Sequence, residues 1–129
     1  MCATNPSGLV LVVEDEWLVR DVIASDFKDA GWHVLEASSG ESALGIIEAN
    51  PHIDVLFTDI QLAGQLSGWD VAEAFRAAKP EMPVIYASGN ASDRSRAVDN
   101  SQFFSKPYRA PEILKACRSC LVGRRVRPM

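Results

Sequence analysis

Residues 9–16 read Leu-Val-Leu-Val-Val-Glu-Asp-Glu, an apolar run of five, three of them β-branched, that breaks abruptly into three acids. A run this short, with no polar alternation, suits a strand buried on both faces, the kind found in parallel sheets. The acids then fall at its carboxyl end. The same form recurs downstream. Asp54 to Thr58 (DVLFT) leads into Asp59, Pro83 to Ala87 (PVIYA) into Ser88-Gly89-Asn90, and Gln102 to Ser105 into Lys106-Pro107. His33 to Ala37 supplies one more strand.

Between the strands lie segments of helical period. Trp17, Val19, Val22, Ile23, Ala24 and Phe27 predict a helix from about Glu16 to Ala30, stopped by Gly31. Ser39 opens a second helix that runs to Ala49 and ends at Asn50-Pro51. A third spans Gly68 to Lys79, and a short polar helix is expected near Ala91 to Val98. The last runs from Pro111 to Leu121, with proline in its first turn. Five strands alternating with five helices predict one α/β domain, a doubly wound five-stranded parallel sheet covered on both faces. The domain is expected over residues 8–122, with flexible ends at 1–7 and 123–129.

Composition fits this class. A chain of 129 residues, 47% hydrophobic and 23% charged, matches one globular domain able to bury a core. No apolar run nears the roughly 18 residues of a membrane span. The start, MCATNPSG, lacks the basic patch and apolar stretch of a secretory signal, so a cytoplasmic location is expected. Cys117 and Cys120 form a CxxC inside a helical pattern, without a second Cys or His pair to complete a zinc site. With Cys2 they read as ordinary thiols of a reducing compartment. Residues 1–105 carry sixteen acids against six basic residues, while residues 106–129 carry one acid against seven. The basic tail reads as a solvated end, and the acidic body would repel nucleic acid.

In doubly wound sheets chemistry collects at the carboxyl ends of the strands, near the point where strand order reverses. There the sequence places Glu14, Asp15, Glu16, Asp59, Ser88 and Lys106. Singly, each has an ordinary reading: a loop acid or helix cap, a turn serine, a surface lysine. Together they form a set. Clustered carboxylates repel one another, and a divalent cation relieves the repulsion. Mg²⁺ takes oxygen ligands and keeps several waters, so two carboxylates and a carbonyl suffice. A lysine and a hydroxyl on the same rim suit the oxygens of a transferring phosphoryl group. A carboxylate can be the nucleophile, forming an aspartyl phosphate.

The segments VVEDE (12–16), VLFTDIQL (55–62), PVIYASGN (83–90) and FFSKPY (103–108) resemble response-regulator receiver domains of the CheY-like family. The likeness runs from about Leu9 to Leu121. It implies a flavodoxin-like strand order of 2-1-3-4-5. By position it implies Asp59 as phosphoacceptor and Lys106 as the lysine that contacts the phosphoryl group. It further implies Ser88 as switch hydroxyl, Phe103 as switch aromatic, and a Lys106-Pro107 peptide that is commonly cis. For the metal it implies Mg²⁺ held by Asp15, Asp59 and the carbonyl of Gln61, with Glu14 acting through water. Three departures stand out. Gly68 comes about one residue late after Asp59, Ala63 replaces a usual proline, and the stretch from Ser88 to Lys106 is about four residues short.

The expected function is that of a two-component response regulator, a phosphoacceptor and not a conventional enzyme. A sensor histidine kinase or histidine phosphotransfer protein would supply the phosphoryl group. No helix-turn-helix or enzymatic pattern follows Leu121, so output through an unidentified protein is expected from a monomer or weak dimer. A phosphate sink or relay, and a pseudo-receiver that binds partners without phosphorylation, are the alternatives. A nucleotide-binding module would need a glycine-rich loop where Glu14-Asp15-Glu16 stands. A haloacid-dehalogenase-type phosphohydrolase would need a second Asp where Gln61 stands. His33 and His52 sit outside any motif and are expected on the surface.

Overall fold

The computed structural model describes residues 8–89 and 94–125. Five strands, β1 (Leu9–Val13), β2 (His33–Ala37), β3 (Val55–Asp59), β4 (Val84–Ser88) and β5 (Ser101–Ser105), form one sheet in the order β2-β1-β3-β4-β5. Every pairing is parallel. The chain moves outward from β1 to β2, then crosses back to β3, so the order reverses between β1 and β3. A crevice at their carboxyl ends follows.

Alternation along each strand feeds two cores. Leu11, Val13, Leu56 and Tyr86 face α2 (Gly40–Ala49) and α3 (Gly68–Ala78). Val10, Val12, Phe57 and Ile85 face α1 (Trp17–Asp29) and α4 (Ala110–Arg125). The second core holds Phe27 edge-on against Trp32, with ring centroids 5.7 Å apart. Ser39 caps α2 by accepting the Ser42 amide at 3.0 Å. Ser67 and Asp70 form a reciprocal capping box at the start of α3. Of the apolar residues that predicted α1, Ile23, Ala24 and Phe27 are buried, but Trp17 and Val22 stand in solvent.

Only four helices occur among the described residues, where five were expected. Ala91, Ser92 and Asp93 of the missing one lie outside those residues, but Arg94 to Asn100 forms turns. The reason is local chemistry. Its described apolar residues, Ala97 and Val98, pack partly buried against the core as adjacent residues rather than a helical stripe, and its polar groups find partners outside a helical ladder. Arg96 pairs with Asp70 and Glu73 of α3, each at 2.9 Å. The Val98 amide donates to the Tyr86 hydroxyl at 3.1 Å, and Arg76 donates to the Asp99 carbonyl at 2.6 Å. Asn100 takes a left-handed φ of 58° before β5 begins. The other expected helices and all five strands are present within a few residues of their predicted bounds, except that α4 runs on to Arg125. Of the expected flexible ends, residues 1–7 and 126–129 lie outside the described residues.

Two glycines on α2 and α3 answer differently to a methyl group. A Cβ on Gly68 would lie 2.1 Å from the Asp59 carbonyl oxygen, a backbone atom that cannot step aside. Gly68→Ala is therefore expected to cost about 3 kcal/mol in urea unfolding. Gly45, exposed within α2, meets nothing within 4 Å, and Gly45→Ala should stabilise by up to about 1 kcal/mol.

Candidate functional site

The carboxyl ends of β1, β3 and β5 bring four charged side chains together. Glu14 follows β1, Asp59 is the last residue of β3, and Lys106 follows β5. The Lys106 ammonium donates to Asp59 Oδ2 at 2.9 Å and to Glu14 Oε1 at 3.0 Å. Asp15 completes the group, since one carboxylate oxygen from each of Glu14, Asp15 and Asp59 lies within 4.8 Å of the others. Glu14 and Asp59 are 4% and 8% exposed, which makes their charges costly without that ammonium.

Backbone contacts hold Glu14 and Asp59 in place. The Glu14 amide donates to the Ala37 carbonyl at 3.1 Å, continuing the β1–β2 ladder one residue past the strand. Glu14 Oε2 accepts the Glu16 amide at 3.2 Å. Asp59 Oδ1 accepts the Gln61 amide at 3.3 Å. The loop after Asp59 closes on itself through Gly68 N and the Ile60 carbonyl at 2.8 Å. Gly64 turns the loop at a φ of +93°, and Glu41 of α2 accepts the Gln65 amide beside it at 3.1 Å.

Ser88 is buried at the end of β4, one residue beyond Ala87, the register partner of Asp59. Its carbonyl accepts the Lys106 amide at 2.8 Å, which ties the serine and lysine strand ends together. The Lys106-Pro107 peptide is cis, as the resemblance implies. Phe103 lies on β5 opposite Tyr86, partly buried, with the Arg94 guanidinium 4.0 Å from its ring centroid. Gln61 is exposed at the rim, and His33 and His52 are both on the surface. Cys117 is buried in the α1–α4 core, and burial pushes its thiol far above the usual range, as an inert packing residue requires.

Two contacts carry no signal in the linear sequence. Arg20 of α1 donates to the Glu14 carbonyl at 2.8 Å, and Arg94 covers Phe103. Each pair is close along the chain, but its contact depends on backbone turns that residue type alone does not specify.

The site's electrostatics follow from burial. Burial raises the Glu14 carboxyl above the usual carboxylate range, and its hydrogen bond from Lys106 only partly offsets this. Burial pulls Lys106 downward, but its bonds to Asp59 and Glu14 outweigh that and hold it above the usual lysine range. The lysine's contribution to stability is therefore complete at neutral pH and fades only in strongly alkaline solution. Three carboxylates around one ammonium leave negative charge in excess, with all donors oxygen, which fits a hard divalent cation such as Mg²⁺. Lys106→Met removes the only cation paired with Glu14 and Asp59 among the described residues, and should cost about 2–3 kcal/mol at pH 7. In urea melts across pH the loss should shrink in acid, as Glu14 takes up a proton. A loss that stays constant down to pH 4 would contradict this assignment.

Comparison with known proteins agrees with the geometry. The response regulator receiver domain family matches residues 10–118. The receiver protein from Sinorhizobium medicae superposes with a TM-score of 0.86 at 31% identity, covering 92% of this chain and 97% of that one. The autoinducer 1 sensor kinase/phosphatase LuxN of Vibrio campbellii is 27% identical over 117 residues, 91% of this chain but 13% of LuxN. A probable transcriptional regulatory protein of Picosynechococcus is 28% identical over 123 residues, 87% of this chain and 48% of that protein. The chain thus spans half or less of these curated relatives. Its fold, its strand-end acids and this family match together make it a member of the response regulator receiver domain family of two-component systems.

Proposed function

We propose that Asp59 accepts a phosphoryl group from a phosphohistidine of a sensor histidine kinase or histidine phosphotransfer protein. The observation that carries this reading is the Lys106 ammonium seated between the Asp59 and Glu14 carboxylates, with Asp15 alongside. A carboxylate oxygen of Asp59 attacks phosphorus as the bond to the histidine nitrogen breaks, and Lys106 shifts from carboxylate to phosphoryl oxygen. Asp15, Asp59 and the Gln61 carbonyl would hold Mg²⁺, with Glu14 acting through water, and the bound ion would supply positive charge for the phosphoryl oxygens. The Ser88 hydroxyl donates to one of those oxygens, and Phe103 repacks once Arg94 leaves its ring.

The surface beside the site suits a protein donor. A groove of about 630 Å³ is lined by Leu18, Val22, Tyr108 and Ala110, with Lys106 at one end. Leu18 and Val22 are 61% and 55% exposed, an apolar face that a docking partner would cover. No helix among the described residues is long and apolar enough to cross a membrane. The chain acts in the cytoplasm, as a monomer or weak dimer, and its output is a change in the affinity of a partner protein rather than turnover of a substrate.

Incubation with acetyl phosphate and Mg²⁺ should add one phosphoryl group, read by intact mass, and Asp59→Asn should remain unlabelled. Equal labelling of Asp59→Asn would sink the assignment. A second measurement tests the acid cluster. Asp15→Ala relieves carboxylate repulsion, so the metal-free protein should melt roughly 3–6 °C higher. The same variant should lose the rise in Tm that Mg²⁺ gives wild type.

A further inference from the structure

The carboxylates at the end of β1 belong to a short turn, Glu14-Asp15-Glu16, and carboxylate direction depends on how that turn is held. Its first peptide joins Glu14 to Asp15. This unit is planar, so fixing its carbonyl fixes the plane from which both acidic residues project. One side chain does this. Arg20, a turn into α1, donates from Nη1 to the Glu14 carbonyl at 2.8 Å. The same guanidinium donates from Nε to Glu36 Oε1 at 3.3 Å. Glu36 lies on β2 as the register partner of Val12, and it also takes Lys28 at 3.8 Å. Arg20 is 19% exposed, so its bonds are partly shielded from water.

We infer that Arg20 is a positioning residue for divalent-cation binding, acting through the Glu14–Asp15 peptide and itself aimed by Glu36. The inference rests on the metal-binding reading of the acid cluster. It needs no contact between Arg20 and the ion. Groups that orient metal ligands from behind commonly change metal affinity by about 10- to 100-fold when removed.

The sign of the effect separates positioning from simple electrostatics. A guanidinium beside an acid cluster repels a cation, so if Arg20 were only a nearby charge, its removal would tighten Mg²⁺ binding. If Arg20 holds the peptide, its removal weakens binding although a repulsive charge has gone. The two accounts predict opposite directions.

The test is a Mg²⁺ titration of the whole chain, followed by tryptophan emission, to which Trp17 beside the acids contributes with Trp32 and Trp69, and by the Mg²⁺-dependent rise in Tm. Arg20→Ala should weaken binding about tenfold, and Arg20→Lys, which keeps the charge but loses the fork, should fall between it and wild type. Glu36→Ala should weaken binding as well, yet Arg20→Ala combined with Glu36→Ala should be no weaker than Arg20→Ala alone. Circular dichroism and Tm without Mg²⁺ report whether each variant folds; if Arg20→Ala does not, Arg20→Lys and Glu36→Ala decide the matter. Affinity unchanged or tighter in the folded Arg20 variants overturns the inference. A wild-type protein that shows no Mg²⁺ response overturns the metal reading, and this inference with it.

Discussion

Two buried carboxylates share one ammonium at the carboxyl edge of the sheet, and the surrounding structure is arranged to make that arrangement tolerable. Glu14 and Asp59 each lie under a tenth exposed, in a setting where unpaired charge is costly. Lys106 answers both at 2.9–3.0 Å, and it can do so only because β1, β3 and β5 end at the same level. Parallel pairing fixes those ends in register. The strands therefore do more than fill a core, since their lengths set where the charges meet.

Behind the charges the backbone is packed without slack. Gly68 sits against the Asp59 carbonyl, its amide closes the loop onto Ile60, and the capping box of Ser67 and Asp70 starts α3 at that point. The rear of the β3 end is thus a backbone surface, held by hydrogen bonds rather than side-chain volume. The front is different, with exposed apolar groups on α1 and a groove running to Lys106. A rigid rear and an open front suit a site whose chemistry arrives on another molecule.

Much of this was legible in the residues. The run from Leu9 to Val13 and the acids after it announced a doubly buried strand with chemistry at its end, because apolar continuity and a sharp charge boundary are both local signals. Asp59, Lys106 and Ser88 followed from the same rule at the other strand ends. Residues 94–98 depart from the expected helix for a definite reason. Backbone groups of Val98 and Asp99 are satisfied by Tyr86 and Arg76, residues elsewhere in the chain whose involvement no local pattern announces. The outward turn of Trp17 and Val22 was hidden in the same way, since periodicity gives a stripe but not the width of surface available to cover it. Roles for Gln61 and Phe103 came from family likeness, and geometry here gives them only a location.

The way residues 94–100 are attached has a consequence for how the domain answers to its solution. Most of the molecule is held by apolar burial and strand ladders, which added salt leaves intact or strengthens. This segment is held largely by arginines on its own surface and on α3, reaching exposed carboxylates, a carbonyl and an aromatic ring. Pairs of that kind weaken as the Debye length shrinks, to roughly 8 Å at physiological ionic strength and about 3 Å in molar salt. The covering over Phe103 is therefore tuned by ionic strength while the sheet beneath it is not, and the two can loosen independently.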